Sequence, residues 1–301
     1  MIRACSGVSV AVAAALLTGV ASVPARAEDA ARWPERPIVF ISGFPAGAAT
    51  DTYSRKLGAA LTERFGVPVV TDNRTGAGGN IASGVVAQAR PDGHTFLLAT
   101  AGTHAINPSL YRELGFDVIR DFTPIALLGD LPNVLLVNPV EHPEVRTCAD
   151  LLALARARPG ELDYASTGNG TSGHLAGVQF ATAAGVRTLH VPYRGQGPAM
   201  TALLGGEIDY FFNQSTPSIA MLQSGKVRAL AVTSAAPVAA LPGVPTVAEA
   251  CQLPGFQSTT WYALYGPKGL PPAIASKASD AVLAVTGSPG FRQWLDGQGV
   301  T

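Results

Sequence analysis

The sequence predicts an α/β protein of two lobes, each built on a doubly wound, mainly parallel sheet, with a cleft between the lobes. Short apolar runs alternate with segments of helical periodicity, an order typical of parallel sheets covered by helices. The alternation restarts after Asp121. The 301 residues, of which 47% are hydrophobic, can bury two cores. We expect residues 28–130 and 229–301 in the first lobe and residues 131–228 in the second, the alternative being a C-terminal end that packs on the second lobe.

The first lobe begins with a βαβαβ unit. The apolar run IVFIS ends at a Gly- and Pro-containing loop, as a buried strand does, and the next segment repeats its apolar residues at helical spacing. A βαβαβ order favours a parallel sheet with helices on both faces. The unit comprises predicted strands at Ile38–Ser42, Val67–Val70 and Thr95–Thr100 and predicted helices at Thr50–Phe65 and Asn80–Ala89.

The second lobe repeats this alternation, and the chain then returns to the first. We expect crossings near residues 121–133 and 226–235, followed by a surface segment rich in Pro and Gly at 241–255. The predicted strands are Val134–Val137, Leu162–Ala165, Arg187–Val191, Ile208–Phe212, Val227–Val232 and Thr259–Tyr265, and the predicted helices are Cys148–Ala157, Ser172–Ala184, Pro198–Leu204, Ser218–Ser224 and Ala273–Val285.

The first 27 residues have the pattern of a secretory signal. Arg3 precedes an apolar run from Val8 to Val20, and Ala25-Arg26-Ala27 matches a cleavage site. We therefore expect an exported, periplasmic protein cut after Ala27, the alternative being a buried N-terminal helix. Equal numbers of basic and acidic residues, 21 of each, give no electrostatic reason to expect a nucleic-acid partner.

Cysteine and histidine spacing argues against metal and cofactor chemistry. The sequence has no CxxC pair, and its five histidines lack metal-ligand spacing. We expect no metal and no cofactor. Cys148 and Cys251 remain after the proposed cleavage. Export permits a disulfide between them, but we expect both to be buried free thiols.

The loop from Ser42 to Asp51, SGFPAGAATD, is the first candidate for ligand binding. It follows a predicted strand at the sheet edge where ligands of such folds bind. Its small residues would let a ligand approach the backbone. Thr50 is expected to cap the next helix, whose free N–H groups favour an anion. An ordinary tight turn between strand and helix is the alternative.

The loop from Ser166 to His174, STGNGTSGH, is the second candidate. Gly168, Gly170 and Gly173 match G-x-G-x-x-G, which leaves a dinucleotide-binding or hydrolytic enzyme domain as the alternative function. The next strand, however, ends in HVPYRG without the acidic residue that would hold a ribose. A cradle for an anion at a helix N-terminus explains the same residues. Its backbone N–H groups from Gly168 to Ser172 should then face the ligand.

Two further observations bear on function. Tyr193 could close over a ligand and Arg194 could pair with a carboxylate, although a solvated Arg194 is slightly favoured. No G-x-S-x-G elbow or HExxH motif is present, and Ser172 and His174 are two apart on a helix and do not face each other. We therefore expect binding without catalysis.

Ordered motifs through most of the chain resemble one family. They include WPERPI at Trp33, FPAGAATD at Phe44, DNRTGAGGNIA at Asp72–Ala82, YASTGNGTSGHLAG at Tyr164–Gly177 and HVPYRGQGPA at His190–Ala199. In these motifs the chain resembles the Bug-type extracytoplasmic receptors of tripartite tricarboxylate transporters. The resemblance implies a type II periplasmic-binding-protein fold and membrane transporter subunits as partners. It also implies a small carboxylate ligand: a di- or tricarboxylate, an acidic amino acid or an aromatic acid. We expect a monomer.

The resemblance also implies the ligand-binding residues. Asn213 stands where the family commonly has an Asp, so the charge near the ligand could differ. The implied site comprises Phe44, Ala46, Gly47, Ala48, Thr50, Asp51, Thr167, Asn169, Gly170, Thr171, Ser172, Tyr193 and Asn213.

Overall fold

The computed structural model describes residues 31–300, so the predicted signal segment and its cleavage site lie outside the described residues. The first lobe carries three parallel strands. Strand β1 (Ile38–Ser42) lies between β2 (Val69–Asn73) and β3 (Thr95–Thr100). The helices between them are α1 (Ala49–Phe65) and α2 (Asn80–Ala87), and a short α3 (Asn107–Leu110) follows β3.

The second lobe repeats this parallel arrangement. Strand β5 (Asp163–Ser166) pairs in parallel with β6 (Leu189–Pro192) and β7 (Tyr210–Gln214). The remaining elements are α4 (Cys148–Ala157), α5 (Ser172–Ala184), α6 (Gln196–Leu204), α7 (Ser215–Gln223), β8 (Arg228–Val232) and α8 (Val247–Ala250).

Two long antiparallel strands join the lobes. The first part of β4 (Phe122–Val137) pairs with β9 (Thr259–Pro267), and its last residues pair with β7 and β8. The sheet order is β2-β1-β3-β9-β4-β7-β5-β6, with β8 on β4. Each lobe is therefore a mixed sheet. The sequence predicts this strand only from Val134, because Pro124, Gly129 and Pro132 interrupt the earlier part of the pattern.

The predicted lobe boundary between residues 228 and 229 is too early. Strand β8 pairs with the end of β4, and Val247 and Phe256 belong to the core of the second lobe. The chain returns later, where the Ser258 N–H donates to the Thr233 carbonyl at 2.9 Å just before β9. The segment 229–258 therefore packs with the second lobe, although its Pro- and Gly-rich sequence resembles a crossing.

The expectation of free thiols is wrong. Cys148, the first residue of α4, and Cys251, which follows α8, form a disulfide with a Cα–Cα distance of 5.1 Å. That distance lies in the ordinary range for a disulfide. The pair is 103 residues apart, and its proximity comes from packing of α8 against α4 in the second core. Spacing along the sequence cannot show such a contact.

Two helices complete the first lobe at the C-terminal side. Helix α9 (Pro272–Thr286) was predicted and α10 (Pro289–Gln298) was not. Phe291 and Trp294 of α10 pack edge-on against Tyr53, at 5.9 and 5.7 Å between ring centroids. At its other end α10 reaches the second lobe, because the Ser215 hydroxyl donates to the Gln298 carbonyl at 2.9 Å. Across residues 31–300, every helix is too short or too polar to cross a bilayer.

Candidate functional site

The cleft between the lobes encloses a small polar cavity. Its volume is about 20 Å³, and its lining includes no charged side chain. Both lobes contribute from the carboxyl ends of parallel strands, where ligands of open α/β sheets bind. The lining residues are Phe44, Ala48, Thr50, Thr100 and Thr260 from the first lobe and Thr167, Thr171, Ser172, Gln196 and Gln214 from the second.

Four helices begin at this cavity without a side-chain cap. The N-cap residues of α1, α5, α6 and α7 are Ala48, Thr171, Gly195 and Gln214, and none accepts a capping hydrogen bond. Of the helices that begin elsewhere, α4 and α8 have complete capping boxes, whereas α9 and α10 also lack a side-chain cap. First-turn N–H groups have no intrahelical acceptor and lie at the positive end of the helix dipole. The cleft can therefore hold an anion without a cationic side chain.

The predicted capping role of Thr50 is wrong. Thr50 lies inside the first turn of α1, one position beyond Ala49, and Ala48 is the N-cap residue. The Thr50 hydroxyl instead accepts a hydrogen bond from the Ser42 hydroxyl at 3.3 Å. It still lines the cavity, so its place in the predicted site does not depend on capping.

Asp51 shapes the first loop from behind. Its carboxylate accepts the Gly47 N–H at 2.9 Å and pairs with Arg55 at 3.0 Å. Burial alone would raise the pKa of Asp51, but hydrogen bonds from Arg55, Gly47 and Asn73 hold that pKa below its ordinary value. Asp51 is therefore an ionised support for the loop and is absent from the cavity lining. Ala46 and Gly47 are exposed on the loop's outer side.

The second loop satisfies most of its own backbone. The Gly168 N–H donates to the Ser166 hydroxyl oxygen at 3.1 Å, and the Gly170 N–H donates to His174 Nδ1 at 3.2 Å. The Thr171 N–H donates to the Gly168 carbonyl at 3.3 Å. These N–H groups therefore do not face the cavity as the sequence analysis expected. The first-turn amides of α5 are the donors that remain for an anion.

The hydroxyls of this segment are also engaged within the protein. Thr171 donates to the Gly168 carbonyl at 2.7 Å, and Ser172 donates to the side-chain oxygen of Asn133 at 3.1 Å. Both residues line the cavity, and a hydroxyl that donates one hydrogen bond can still accept others. Because Ser172 and His174 bond to different partners, they form no nucleophile–base pair. Ser166 lies 2.6 Å from His190 Nε2 but is fully buried and does not line the cavity.

Two glutamines connect the lobes inside the cavity. The Ala49 N–H of α1 donates to Gln196 Oε1 at 3.1 Å, and Gln196 Nε2 donates to Gln214 Oε1 at 3.1 Å. The Tyr262 hydroxyl of β9 donates to the same oxygen at 2.8 Å. The amide oxygen of Gln196 therefore accepts a hydrogen bond from a first-turn N–H group that could otherwise donate to a ligand carboxylate.

Sequence reasoning missed four lining residues. Thr100 ends β3, and Gln196 and Gln214 stand at the beginning of helices after strand ends, so the strand-to-helix loops carried a signal for all three. Thr260 lies on the strand that joins the lobes, where no local signal identifies it.

A wider cavity of about 520 Å³ forms the mouth of the cleft. Four predicted residues line it: Phe44, Thr167, Asn169 and Tyr193. Arg194, which is exposed, lies beside them. Opposite, the Tyr111 hydroxyl of the first lobe donates to the Asn169 carbonyl at 3.4 Å.

The two remaining predicted residues are buried beside the cleft. Gly170 packs against Asn107 of the first lobe, and Asn213 donates to the Ser218 hydroxyl at 3.0 Å. Neither lines a cavity at the cleft. Asn213 directly precedes Gln214, which does.

The glycine pattern of the second loop serves packing. A Cβ on Gly173 would stand 2.3 Å from the Phe212 carbonyl oxygen, so this glycine allows α5 to approach β7. Gly168 and Gly170 have φ values of 135° and 79°, which favour glycine. Within residues 31–300 no group of three His, Cys, Asp or Glu side chains is placed to hold a metal ion.

The fold and the cleft define a two-lobed solute-binding receptor of the periplasmic-binding-protein type. A family model described as "Tripartite tricarboxylate transporter family receptor" matches residues 53–301, and the chain belongs to this family. The predicted fold class and the resemblance to Bug-type receptors are both confirmed. Receptors of this family are periplasmic solute-binding proteins.

Several relatives match over most of their length. The UPF0065 protein of the tcbD-tcbE intergenic region from Pseudomonas sp. strain P51 is 38% identical over 91% of this chain and 81% of its own. Protein BugT from Bordetella pertussis is 36% identical over 80% of this chain and 74% of its own.

Solved structures of similar proteins have the same fold. The R. palustris protein Rpa4515 with adipate has a TM-score of 0.86 at 36% identity, covering 89% of both chains. MatC from Rhodopseudomonas palustris with bound malate has a TM-score of 0.82 at 32% identity, covering 89% of this chain and 90% of its own.

Proposed function

We propose that this protein is an extracytoplasmic receptor that captures a small carboxylate in the cleft and delivers it to the membrane subunits of a tripartite tricarboxylate transporter. One observation carries the proposal. Four uncapped helix N-termini meet at a cavity lined by hydroxyls and amides. Such a cavity suits the oxygens of a carboxylate. The complexes of similar proteins with adipate and with malate support the same ligand class.

Binding requires the lobes to move. A cavity of about 20 Å³ holds about one water, which is less than any di- or tricarboxylate needs. The lobes are held together across the cleft by the hydrogen bonds of Gln196 and Gln214. We propose that a ligand enters an opened cleft, displaces the Gln196 oxygen from the Ala49 N–H, and is then enclosed.

The receptor acts without catalysis in this proposal. The cavity lining carries no acid or base, and its serine hydroxyl donates to Asn133 rather than to a histidine. We propose that the mature chain is a monomer cut after Ala27 and that it acts in the periplasm. N-terminal sequencing of secreted protein should begin at Glu28, and a secreted chain that still begins at Met1 would contradict the cut.

Calorimetric titration tests the function. Adipate, malate, citrate, glutamate and benzoate are titrated into gently purified protein, and each mixture is then examined by NMR for chemical change. We expect at least one acid to bind with a melting temperature that rises with its concentration, and to be recovered unchanged. A set of acids that all fail to bind would reject the carboxylate receptor. A converted acid would reject its non-catalytic role.

A further inference from the structure

Two stacked imidazoles lie behind the second ligand loop. His174 belongs to the first turn of α5 and His190 to β6, and their ring centroids are 4.1 Å apart with planes inclined by 24°. Both side chains are only partly exposed, and neither lines the cleft cavities. The proposed ligand contacts therefore do not account for the pair.

The pair holds the loop through its glycines. His174 Nδ1 accepts the Gly170 N–H at 3.2 Å. The Ser166 hydroxyl donates to the Gly168 carbonyl and accepts the Gly168 N–H, both at 3.1 Å. Because its one proton is used in this way, His190 Nε2, at 2.6 Å, donates to the Ser166 oxygen. Because Nδ1 of His174 must be an acceptor, this ring is neutral with its proton on Nε2. A proton added at Nδ1 would remove the only acceptor that the ring offers to Gly170.

The glycines form the surface on which the first lobe closes. A Cβ on Gly170 would stand 2.1 Å from Asn107 Oδ1, and a Cβ on Gly78 would stand 2.7 Å from the Asn169 carbonyl oxygen. The Tyr111 hydroxyl reaches the same carbonyl at 3.4 Å. Contacts this close tolerate little displacement of the loop. The conformation of Asn169 and Gly170 therefore decides whether the lobes can meet.

We infer that His174 and His190 are positioning residues for the binding site, and that the neutral ring of His174 keeps the loop in the shape that allows closure over a ligand. This inference rests on the proposed function, because closure matters only if the cleft binds a ligand. It adds a proton dependence to that function. Protonation of His174 at Nδ1 removes the acceptor of the Gly170 N–H, so protons and ligand compete although they bind at different places.

The groups around the two rings are uncharged, so they favour the neutral form of both histidines. Tyr164 of β5 faces His190 at 5.0 Å between rings and donates to the His174 carbonyl, and Tyr210 of β7 stacks on Tyr164. Burial raises the pKa of Tyr164 to about 12 and raises that of Tyr210 as well, so both phenols stay neutral below pH 8. Within residues 31–300 neither histidine belongs to an ion pair.

The pKa values of the two rings agree with this direction. Burial lowers the pKa of His174 below its ordinary 6.5, and burial together with the neighbouring His174 lowers the pKa of His190 to about 4. The closed form therefore binds fewer protons than a form in which the rings are solvated. Affinity should fall as the pH drops below about 6.5, by at most about tenfold per pH unit for each proton.

The first test is calorimetric titration of adipate and malate from about pH 8 to about pH 5.5, a range in which histidine changes its charge. His174→Asn places an amide oxygen near the Nδ1 position and cannot take up a proton. We expect the wild-type Kd to rise about tenfold more than that of the variant over this range. His142→Asn, in a histidine that pairs with Asp209 away from the cleft, should keep the wild-type profile. Equal profiles for wild type and His174→Asn would overturn the inference.

The second test needs neither a ligand nor a variant. In NMR spectra of the ligand-free protein, the Gly170 amide should shift with the titration of the His174 ring, whereas the Gly185 amide at the far end of α5 should not. A Gly170 amide whose chemical shift does not change as the His174 ring titrates would overturn the inference by itself. Failure of every carboxylate to bind would reject the proposed function. The Gly170 shift would then still decide whether His174 supports the loop.

Discussion

Some residues in the cleft loops support the site without lining it. Asp51 fixes Gly47, Ser166 fixes Gly168 and His174 fixes Gly170, each through a hydrogen bond to the backbone. The cavity itself is lined by short polar side chains and helix starts. An anion held by backbone dipoles depends on backbone position, so changes behind a loop should alter affinity as much as changes that face the ligand.

Asp51→Asn should weaken carboxylate binding severalfold. The change keeps one acceptor for Gly47 but removes the ion pair with Arg55, so the first loop loses part of its support. The control is Asp72→Asn, which removes a more exposed pair with Arg74. Calorimetric titration of adipate should show weaker binding only for the Asp51 variant. Equal affinities in both variants would contradict a supporting role.

Arg194→Gln should reduce the preference for a dicarboxylate over the monocarboxylate of the same length. Arg194 is the cation on the lining of the cleft mouth, where the far end of an elongated ligand would emerge. Exposed ion pairs contribute at most about 1 kcal/mol, so a loss of about fivefold in adipate affinity is expected, with hexanoate unaffected. Arg187→Gln, an exposed change absent from the lining of the mouth, is the control. If Arg194→Gln leaves the ratio of adipate affinity to hexanoate affinity unchanged, Arg194 does not contact the ligand.

At the scale of elements, the sequence predicted the units formed by neighbouring segments. The helices at Cys148–Ala157 and Ser172–Ala184 begin and end where the patterns indicated. The antiparallel start of β4 was missed because its prolines and glycine hide the strand pattern. The same reasoning found the loops of the site, since loops at strand ends are local features. It could not place Thr260, whose role comes only from the crossing of β9 beneath the cleft.

Removing the disulfide should destabilise the protein without changing its site. The bridge joins α4 to α8 across 103 residues, and closing a loop of that size limits the unfolded chain. The double change Cys148→Ser and Cys251→Ser should lower the free energy of unfolding by about 2–5 kcal/mol. Denaturant titration measures this loss, and calorimetry on the folded variant should give the wild-type adipate affinity. Two free thiols in denatured wild-type protein would contradict the bridge.

At the scale of the whole molecule, the lobes meet at contacts that only glycine permits. Gly170→Ala should weaken ligand binding by more than tenfold, because its Cβ would collide with Asn107 when the lobes close. Gly185→Ala is the matched control, since Gly185 also has a positive φ, of 63°, but has open space around it. Each change costs about 1–2 kcal/mol in backbone strain.

Scattering and calorimetry together separate closure from stability. Wild-type protein should become more compact on saturation with a bound acid, and Gly185→Ala should do the same with a slightly lower melting temperature. Gly170→Ala should melt like Gly185→Ala but remain extended when the acid is added. Full compaction of the Gly170 variant would show that this contact does not limit closure.

The position of β9 between β3 and β4 has a consequence for the order in which the protein can be made. This strand is the interior partner of both, yet it ends at Pro267, after nearly the whole chain has been synthesised. The sheet of the first lobe is split until that segment emerges from the ribosome, so the first lobe cannot complete its fold early. Under the proposed export, a first lobe that stays incomplete through most of synthesis is one that an export channel can still thread.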